Sequence, residues 1–230
     1  MIKAAIFDVD GTLLDSMPIW LDTGERYLRT LGIKPDSSLE EKIWDMSIAE
    51  CSVFLKECYH LPMSAQEIYD GIIRMVQDFY FYEAPLKPGV KEFLEELKQK
   101  GIPMVIATSS DRSYLTAAFE RIGIAEYFNR IFTCAEVGAG KTKPLIYEKA
   151  AEYLGVRPEE IWVFEDVIHA VRSAKQAHCH VAGLEDAAST KDREIMQKEC
   201  DVYLKDFTEA DRFWKIAEGM DELREGGNRI

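Results

Sequence analysis

The sequence predicts an α/β fold: a doubly wound parallel sheet with helices on both faces, interrupted once by an all-helical insertion. Three observations predict it. Short apolar runs end in polar turn residues, amphipathic helical repeats with a glycine just past their ends separate those runs, and the stretch from about Ser16 to Tyr82 carries helical patterns only. Strands alternating with helices of this length imply right-handed crossovers, and therefore a mostly parallel sheet.

The first apolar run, Lys3 to Phe7, stops at Asp8 and reads as a buried strand. The insertion follows. The Asp15 to Pro18 linker opens it, a helical pattern of Trp20, Tyr27, Leu28 and Leu31 leads to Gly32, and Glu83-Ala84-Pro85 closes it. The expected division is a core of residues 1–15 and 83–230 and a helical cap domain of residues 16–82. The alternation then resumes. Val90, Phe93, Leu94 and Leu97 form a helical stripe between Pro88 and Gly101. The strand Ile102 to Ala107 runs into Thr108-Ser109-Ser110, and the helical stripe of Leu115, Ala118, Phe119 and Ile122 stops at Gly123. Arg130 to Thr133 forms the next strand and enters a loop containing Gly138 and Gly140; Ile146, Ala150 and Leu154 mark a helix ending at Gly155. Ile161 to Phe164 runs into Glu165-Asp166, two shorter strands lie at His180 to Ala182 and Val202 to Leu204, and the last twenty or so residues read as a helix.

Bulk properties bound the function. At 230 residues, with 47% hydrophobic and 30% charged residues, the chain has the composition of a globular protein. The balance of 28 basic against 41 acidic residues, 28 − 41 = −13, repels polyanions and argues against nucleic acid as a partner. The apolar start Met1 to Phe7 meets charge at Asp8, too short for a signal-peptide core or a membrane span, so a cytoplasmic protein without a membrane partner is expected. Five cysteines with no C-x-x-C pair fit reduced thiols. No feature marks an obligate protein partner.

Ligands of open α/β sheets bind outside the carboxyl ends of the strands, and each polar cluster above lies at such an end. In Asp8-Val9-Asp10-Gly11-Thr12 two carboxylates two residues apart project to one side in extended geometry, and Gly11 permits a sharp turn. One carboxylate can stay ionised while the other keeps a proton, the usual division between nucleophile and acid. Taken alone, the motif also fits a turn or a calcium loop. A calcium loop starting at Asp8 needs Gly at position 13 and Glu at position 19, where Leu13 and Ile19 stand. Thr108 fits a helix-capping segment in which Ser110 or Asp111 is the cap and Thr108 faces the site. Lys141 has a neighbour and rival in Lys143, and Glu165-Asp166 alone fits a solvated acidic pair at a helix start. His178-Cys179-His180 lacks any companion set at zinc spacing and reads as structural.

Together these residues resemble the haloacid dehalogenase-like superfamily, in the branch of phosphatases and β-phosphoglucomutases with a helical cap inserted after the first motif. The first motif, D-x-D-G-T-L-x-D-S, appears from Asp8 to Ser16. The Thr or Ser closing an apolar strand is matched by Thr108, and the acidic pair after a strand by Glu165-Asp166. The motif lysine lies three residues before a proline, which selects Lys141 ahead of Pro144, with Thr142 where a proline is common. The resemblance implies a Rossmann-like core, an aspartyl phosphate on Asp8, and Asp10 as acid and base. It implies Mg²⁺ held by Asp8, the Asp10 carbonyl and Asp166, with Glu165 orienting metal-bound water. Thr108, Ser109 and Lys141 would hold the phosphate oxygens, and cap aromatics such as Trp20 or Trp44 would line the pocket of a small phosphorylated metabolite.

Departures from the resemblance weigh on the choice of activity. The mutase branch carries a His where this chain has Trp20 and an Arg near the position of Ile48. The expected activity is therefore Mg²⁺-dependent hydrolysis of a small phosphate monoester. The alternatives are β-phosphoglucomutase-like transfer and, more remotely, a non-catalytic binder of phosphate ligands.

Overall fold

The computed structural model describes residues 2–43 and 46–226. Six strands, β1 (Ala4–Phe7), β2 (Met104–Thr108), β3 (Phe128–Thr133), β4 (Ile161–Glu165), β5 (His180–Leu184) and β6 (Val202–Leu204), form one sheet in the order β3-β2-β1-β4-β5-β6. Every pairing is parallel. The order reverses at β1: β2 and β3 build outward on one side, and the chain then returns to lay β4 on the other. The gap between β1 and β4 is thus the switch point at which such sheets receive ligands.

Contacts divide the chain into two compact units, Met1–Asp15 with Pro85–Ile230, and Ser16–Ala84. The second boundary falls after Ala84 rather than after residue 82. The cause is the end of the helix Ala65–Tyr82, where the N–H groups of Glu83 and Ala84 both donate to the Phe79 carbonyl at 2.8 Å and carry the helical unit two residues further. The sheet is as expected in kind, with shifts of one or two residues at strand ends. Within the helical unit, the single pattern from Trp20 to Leu31 is two helices, Met17–Leu21 and Thr23–Thr30, broken at Asp22.

Side-chain alternation sorts the strands onto two faces. Ala4, Ile6, Val105, Ala107, Ile161, Val163 and Val181 pack on one face with Ile146, Tyr147 and Ala150 of the helix Leu145–Leu154 and with Val171 and Ala174 of the helix Ile168–Gln176. The other face is aromatic. Phe7 stacks on its register neighbour Phe164 at 4.5 Å, and Phe93, Phe207 and Phe213 close around them at 5.1 to 6.4 Å. Each such pair adds about 0.5–1.5 kcal/mol to the burial of its rings. The helix carrying Phe93, Val90–Gln99, starts at Gly89 with φ +77°, where a Cβ would lie 2.5 Å from the Phe207 backbone; only glycine allows that approach.

The helical unit holds its own apolar interior, with Leu28, Leu55, Ile68, Ile72 and Tyr80 fully buried. Its helices Ile48–Cys58 and Ala65–Tyr82 each begin with a reciprocal serine–glutamate cap, Ser47 with Glu50 and Ser64 with Glu67. No helix among the described residues is long and apolar enough to cross a membrane. All five cysteines are free thiols.

Candidate active site

The site follows from strand parity. Asp8 continues the face of Ala4 and Ile6, Glu165 continues that of Ile161 and Val163, and the register sets Ile6 beside Val163 and Phe7 beside Phe164. The Asp8 N–H extends the ladder by donating to the Phe164 carbonyl at 3.0 Å. Two carboxylates therefore emerge side by side at the switch point. Lys141 sits between them: its ammonium donates to Asp8 Oδ1 and, at 2.5 Å, to Glu165 Oε1. Tyr147 donates its hydroxyl to the same Oε1 at 2.9 Å, and Glu165 Oε2 accepts the Asp166 N–H at 3.2 Å. All of these side chains are buried.

After β1 the chain turns tightly. The Val9 carbonyl accepts the N–H groups of Thr12, Leu13 and Leu14 at 3.3, 2.9 and 2.8 Å, and Gly11, at φ +83°, occupies backbone space that other residues rarely adopt. The turn leaves Asp10 half-buried, with its Oδ2 accepting the Ser110 hydroxyl at 2.5 Å, and lets Thr12 donate to Asp166 Oδ1 at 3.4 Å.

The crowded acids repel one another. Burial pushes Asp8 up to about 7 despite Lys141, with Glu165 and Asp10 adding to the rise. Burial, followed by the charges of Asp8 and Glu165, holds Asp166 well above the carboxylate range. Burial opposes the charge on Lys141, but Asp8 and Glu165 outweigh it and raise its proton affinity. Asp166 Oδ2 is buried without a hydrogen-bond partner. Asp8, Glu165 and Asp166 each offer an oxygen, all within 4.8 Å of one another. An unpartnered carboxylate oxygen beside two further hard donors is what a divalent cation such as Mg²⁺ requires, so the residues fit one.

The remaining candidate residues lie as follows. Thr108 ends β2 fully buried, and its hydroxyl accepts the Ser110 N–H at 3.0 Å. Ser109 is exposed, 3.5 Å from Cys134 Sγ. Asp111 caps the helix Arg112–Ile122 by accepting the Ser113 N–H at 2.8 Å. Lys143 is exposed. Trp20, in the helical unit, donates its indole N–H to the Tyr80 hydroxyl at 3.1 Å, while Trp44 lies outside the described residues. His178 terminates the helix Ile168–Gln176 at φ +64°, and His180 stacks on Trp162 at 5.1 Å.

Three residues near these groups were not singled out as functional from the sequence. In the sequence Ser110 marks only a possible helix cap. Tyr147 sits in the apolar stripe of its helix, and a buried tyrosine hydroxyl needs a partner, which was the available signal. Lys87 donates to the Gly11 carbonyl at 2.8 Å, and nothing in Leu86-Lys87-Pro88 marks it.

Buried acids around a lysine at the switch point of a doubly wound sheet define an α/β enzyme site. The model of the haloacid dehalogenase-like hydrolases matches residues 2–178, and the chain belongs to that family of hydrolases. It is 30% identical over 213 residues to a validoxylamine A 7'-phosphate phosphatase of Streptomyces hygroscopicus subsp. limoneus, covering 91% of this chain and 96% of the relative. It is 29% identical to a phosphorylated carbohydrates phosphatase of Thermotoga maritima, covering 76% and 82%. Among solved structures, a candidate β-phosphoglucomutase from Thermotoga maritima superimposes with a TM-score of 0.79 at 25% identity, covering 96% of this chain and all of that one.

Proposed function

We propose that this chain is a Mg²⁺-dependent phosphatase that hydrolyses a small organic phosphate monoester through an aspartyl phosphate on Asp8. The observation that carries the reading is the buried Asp8–Lys141–Glu165 contact beside the unpartnered Asp166 Oδ2. Asp8 attacks phosphorus, forming the acyl phosphate as the ester P–O bond breaks, and Asp10 gives its proton to the departing alkoxide. Asp10, now ionised, takes a proton from a water that attacks the same phosphorus. Inorganic phosphate leaves, the Asp8 carboxylate is restored, and Asp10 is reprotonated.

Lys141 spends two of its three N–H groups on Asp8 and Glu165, which leaves one for a phosphoryl oxygen. Thr108 and Ser109, at the end of β2, serve the same oxygens. Glu165 has Oε1 held by Lys141 and Tyr147 and Oε2 by the Asp166 N–H, so it fixes the lysine and adjoins the metal position. Asp8, Asp166 and the Asp10 carbonyl would hold Mg²⁺, which when bound neutralises the repulsion between the nucleophile and a phosphate dianion. The phosphatase names of the two relatives favour hydrolysis, and Trp20 and Ile48 stand where a mutase carries polar groups.

The test is a phosphate-release assay over a panel of sugar and nucleotide monophosphates with Mg²⁺. Asp8→Asn is expected to lower kcat by about a million-fold, the scale seen when a nucleophile is removed. Wild-type turnover in that variant, or conversion of β-glucose 1-phosphate to glucose 6-phosphate without phosphate release, would overturn the reading.

A further inference from the structure

Lys87 is a second buried lysine of the core, and the chemistry above does not use it. Its ammonium donates to the Gly11 carbonyl at 2.8 Å, the Glu185 carbonyl at 2.7 Å and Asp186 Oδ2 at 2.8 Å. An ammonium has three donors, so every one is spent on protein and none remains for a ligand. The acceptors come from two loops at the carboxyl edge of the sheet, the turn after β1 and the segment after β5. Lys87 belongs to a third.

The backbone of that third segment is already registered without the side chain. Lys87 N–H donates to the Leu13 carbonyl at 2.9 Å, Asp15 N–H to the Pro85 carbonyl at 3.0 Å, and Leu14 and Leu86 form an antiparallel bridge. What the ammonium adds is a hold on Gly11, the one residue of the turn at positive φ and the residue that follows Asp10. A glycine peptide has little steric preference of its own, so an external anchor must choose its orientation. Asp186 supplies the matching negative charge: Oδ2 meets Lys87, while Oδ1 accepts the Ala188 N–H at 2.9 Å and is thereby fixed. A lone buried ammonium would be costly, and a paired one is tolerated.

We propose that Lys87 is a positioning residue for the nucleophile turn: by fixing the Gly11 carbonyl it fixes the main chain and carboxylate of Asp10, the proton donor and acceptor. The inference rests on the phosphatase reading for its kinetic consequence, but its structural consequence is independent of activity. Small errors in the placement of an acid–base group cost rate rather than binding.

Three variants separate positioning from mere ion pairing. Asp186→Asn keeps Lys87 on both carbonyls, and its kcat is expected within about threefold of wild type. Lys87→Met with Asp186→Asn leaves no buried charge unpaired but releases the Gly11 carbonyl; kcat is expected to fall about 100-fold with KM within threefold. Amide hydrogen exchange from Gly11 to Leu14 should quicken about tenfold in the double variant and not in Asp186→Asn. Lys87→Met alone should match the double variant in kcat but melt lower. Equal kcat in the double variant and Asp186→Asn, unchanged exchange in the turn, or a double variant that does not fold would overturn the proposal. A wild-type protein that releases no phosphate would sink the proposed function instead, with the exchange result still deciding the role of Lys87.

Discussion

The two units of the chain handle charge in opposite ways. Among the described residues, the buried charged side chains Asp8, Lys87, Lys141, Glu165, Asp166, Asp186 and Asp206 all belong to the core, whereas the buried polar residues of the helical unit are Ser16, Thr23 and Ser52. Charged pairs of the helical unit such as Arg26 with Asp22 at 2.8 Å and Arg29 with Glu25 at 3.1 Å keep substantial solvent exposure, and pairs of that kind contribute little to stability. Its stability comes from apolar packing and helix caps. The core instead keeps Asp8 and Asp166 in a place where desolvation and then repulsion raise their proton affinity, a cost that only makes sense where the charge is used. Stability arguments therefore suffice for one unit. Both stability and chemistry are needed for the other.

The contrast breaks most visibly on substitutions of similar total cost but different origin. Lys141→Met leaves Asp8 and Glu165 buried without their counter-charge and is expected to destabilise the metal-free protein by about 3–5 kcal/mol. Ile72→Ala, in the helical unit, opens a cavity at a fully buried site and is expected to cost about 2–5 kcal/mol. Urea unfolding at pH 5 and pH 8 tells them apart. The loss from Lys141→Met should shrink at pH 5, where Asp8 is protonated, and the loss from Ile72→Ala should not change. Equal pH dependence in the two variants would erase the distinction.

A smaller effect comes from the metal and the proton competing for the same carboxylates. The folded-state value for Asp8, about 7, lies above its ordinary value of 3.8, with burial the leading cause. Between those two values the folded chain holds a proton that the unfolded chain has lost, so stability falls as pH rises through the window and levels off above it. The metal-free melting temperature is therefore expected to drop between pH 5 and pH 8. Mg²⁺ at about 100 times its dissociation constant adds about 2.7 kcal/mol where the carboxylates are ionised, and should restore the melting temperature at pH 8 with little effect at pH 5. A melting temperature in EDTA that is flat across this range would contradict a proton held on Asp8 by burial in the folded chain.

Legibility followed the same divide. Apolar runs and helix stops located the six strands, because β1, β2 and β4 are buried throughout and bounded by turns, and parity alone put Asp8 beside Glu165 once the register was known. The order of the strands was not in the pattern, since neighbouring strands separated by about a hundred residues leave no local mark. Lys87 and Tyr147 were missed for a related reason: each earns its place through a partner 76 and 18 residues away, Gly11 and Glu165 respectively. The break at Asp22 was missed because Trp20, Tyr27 and Leu28 keep helical spacing across it.

Lys141 and Lys143 show how spacing and structure divide the work. Both sit in Gly140-Lys141-Thr142-Lys143-Pro144, both are cations, and charge alone does not choose between them. Resemblance chose Lys141 by its distance from Pro144. The structure supplies the reason: Lys141 is buried against Asp8 and Glu165, while Lys143 is exposed and its N–H donates to the Gly140 carbonyl at 3.1 Å, a contact that belongs to its backbone and not to its side chain. Lys143→Ala should therefore move stability by no more than about 0.5 kcal/mol and leave kcat within about twofold. Steady-state kinetics at low and moderate salt would check it, because an exposed lysine that only attracts an anionic substrate changes kcat/KM in a salt-dependent way and leaves kcat alone. A loss in kcat of about 100-fold or more, the scale on which removing one charge-stabilising donor acts, would mean that the loop can present either lysine to the phosphate, and the assignment of the cation to Lys141 would fall with it.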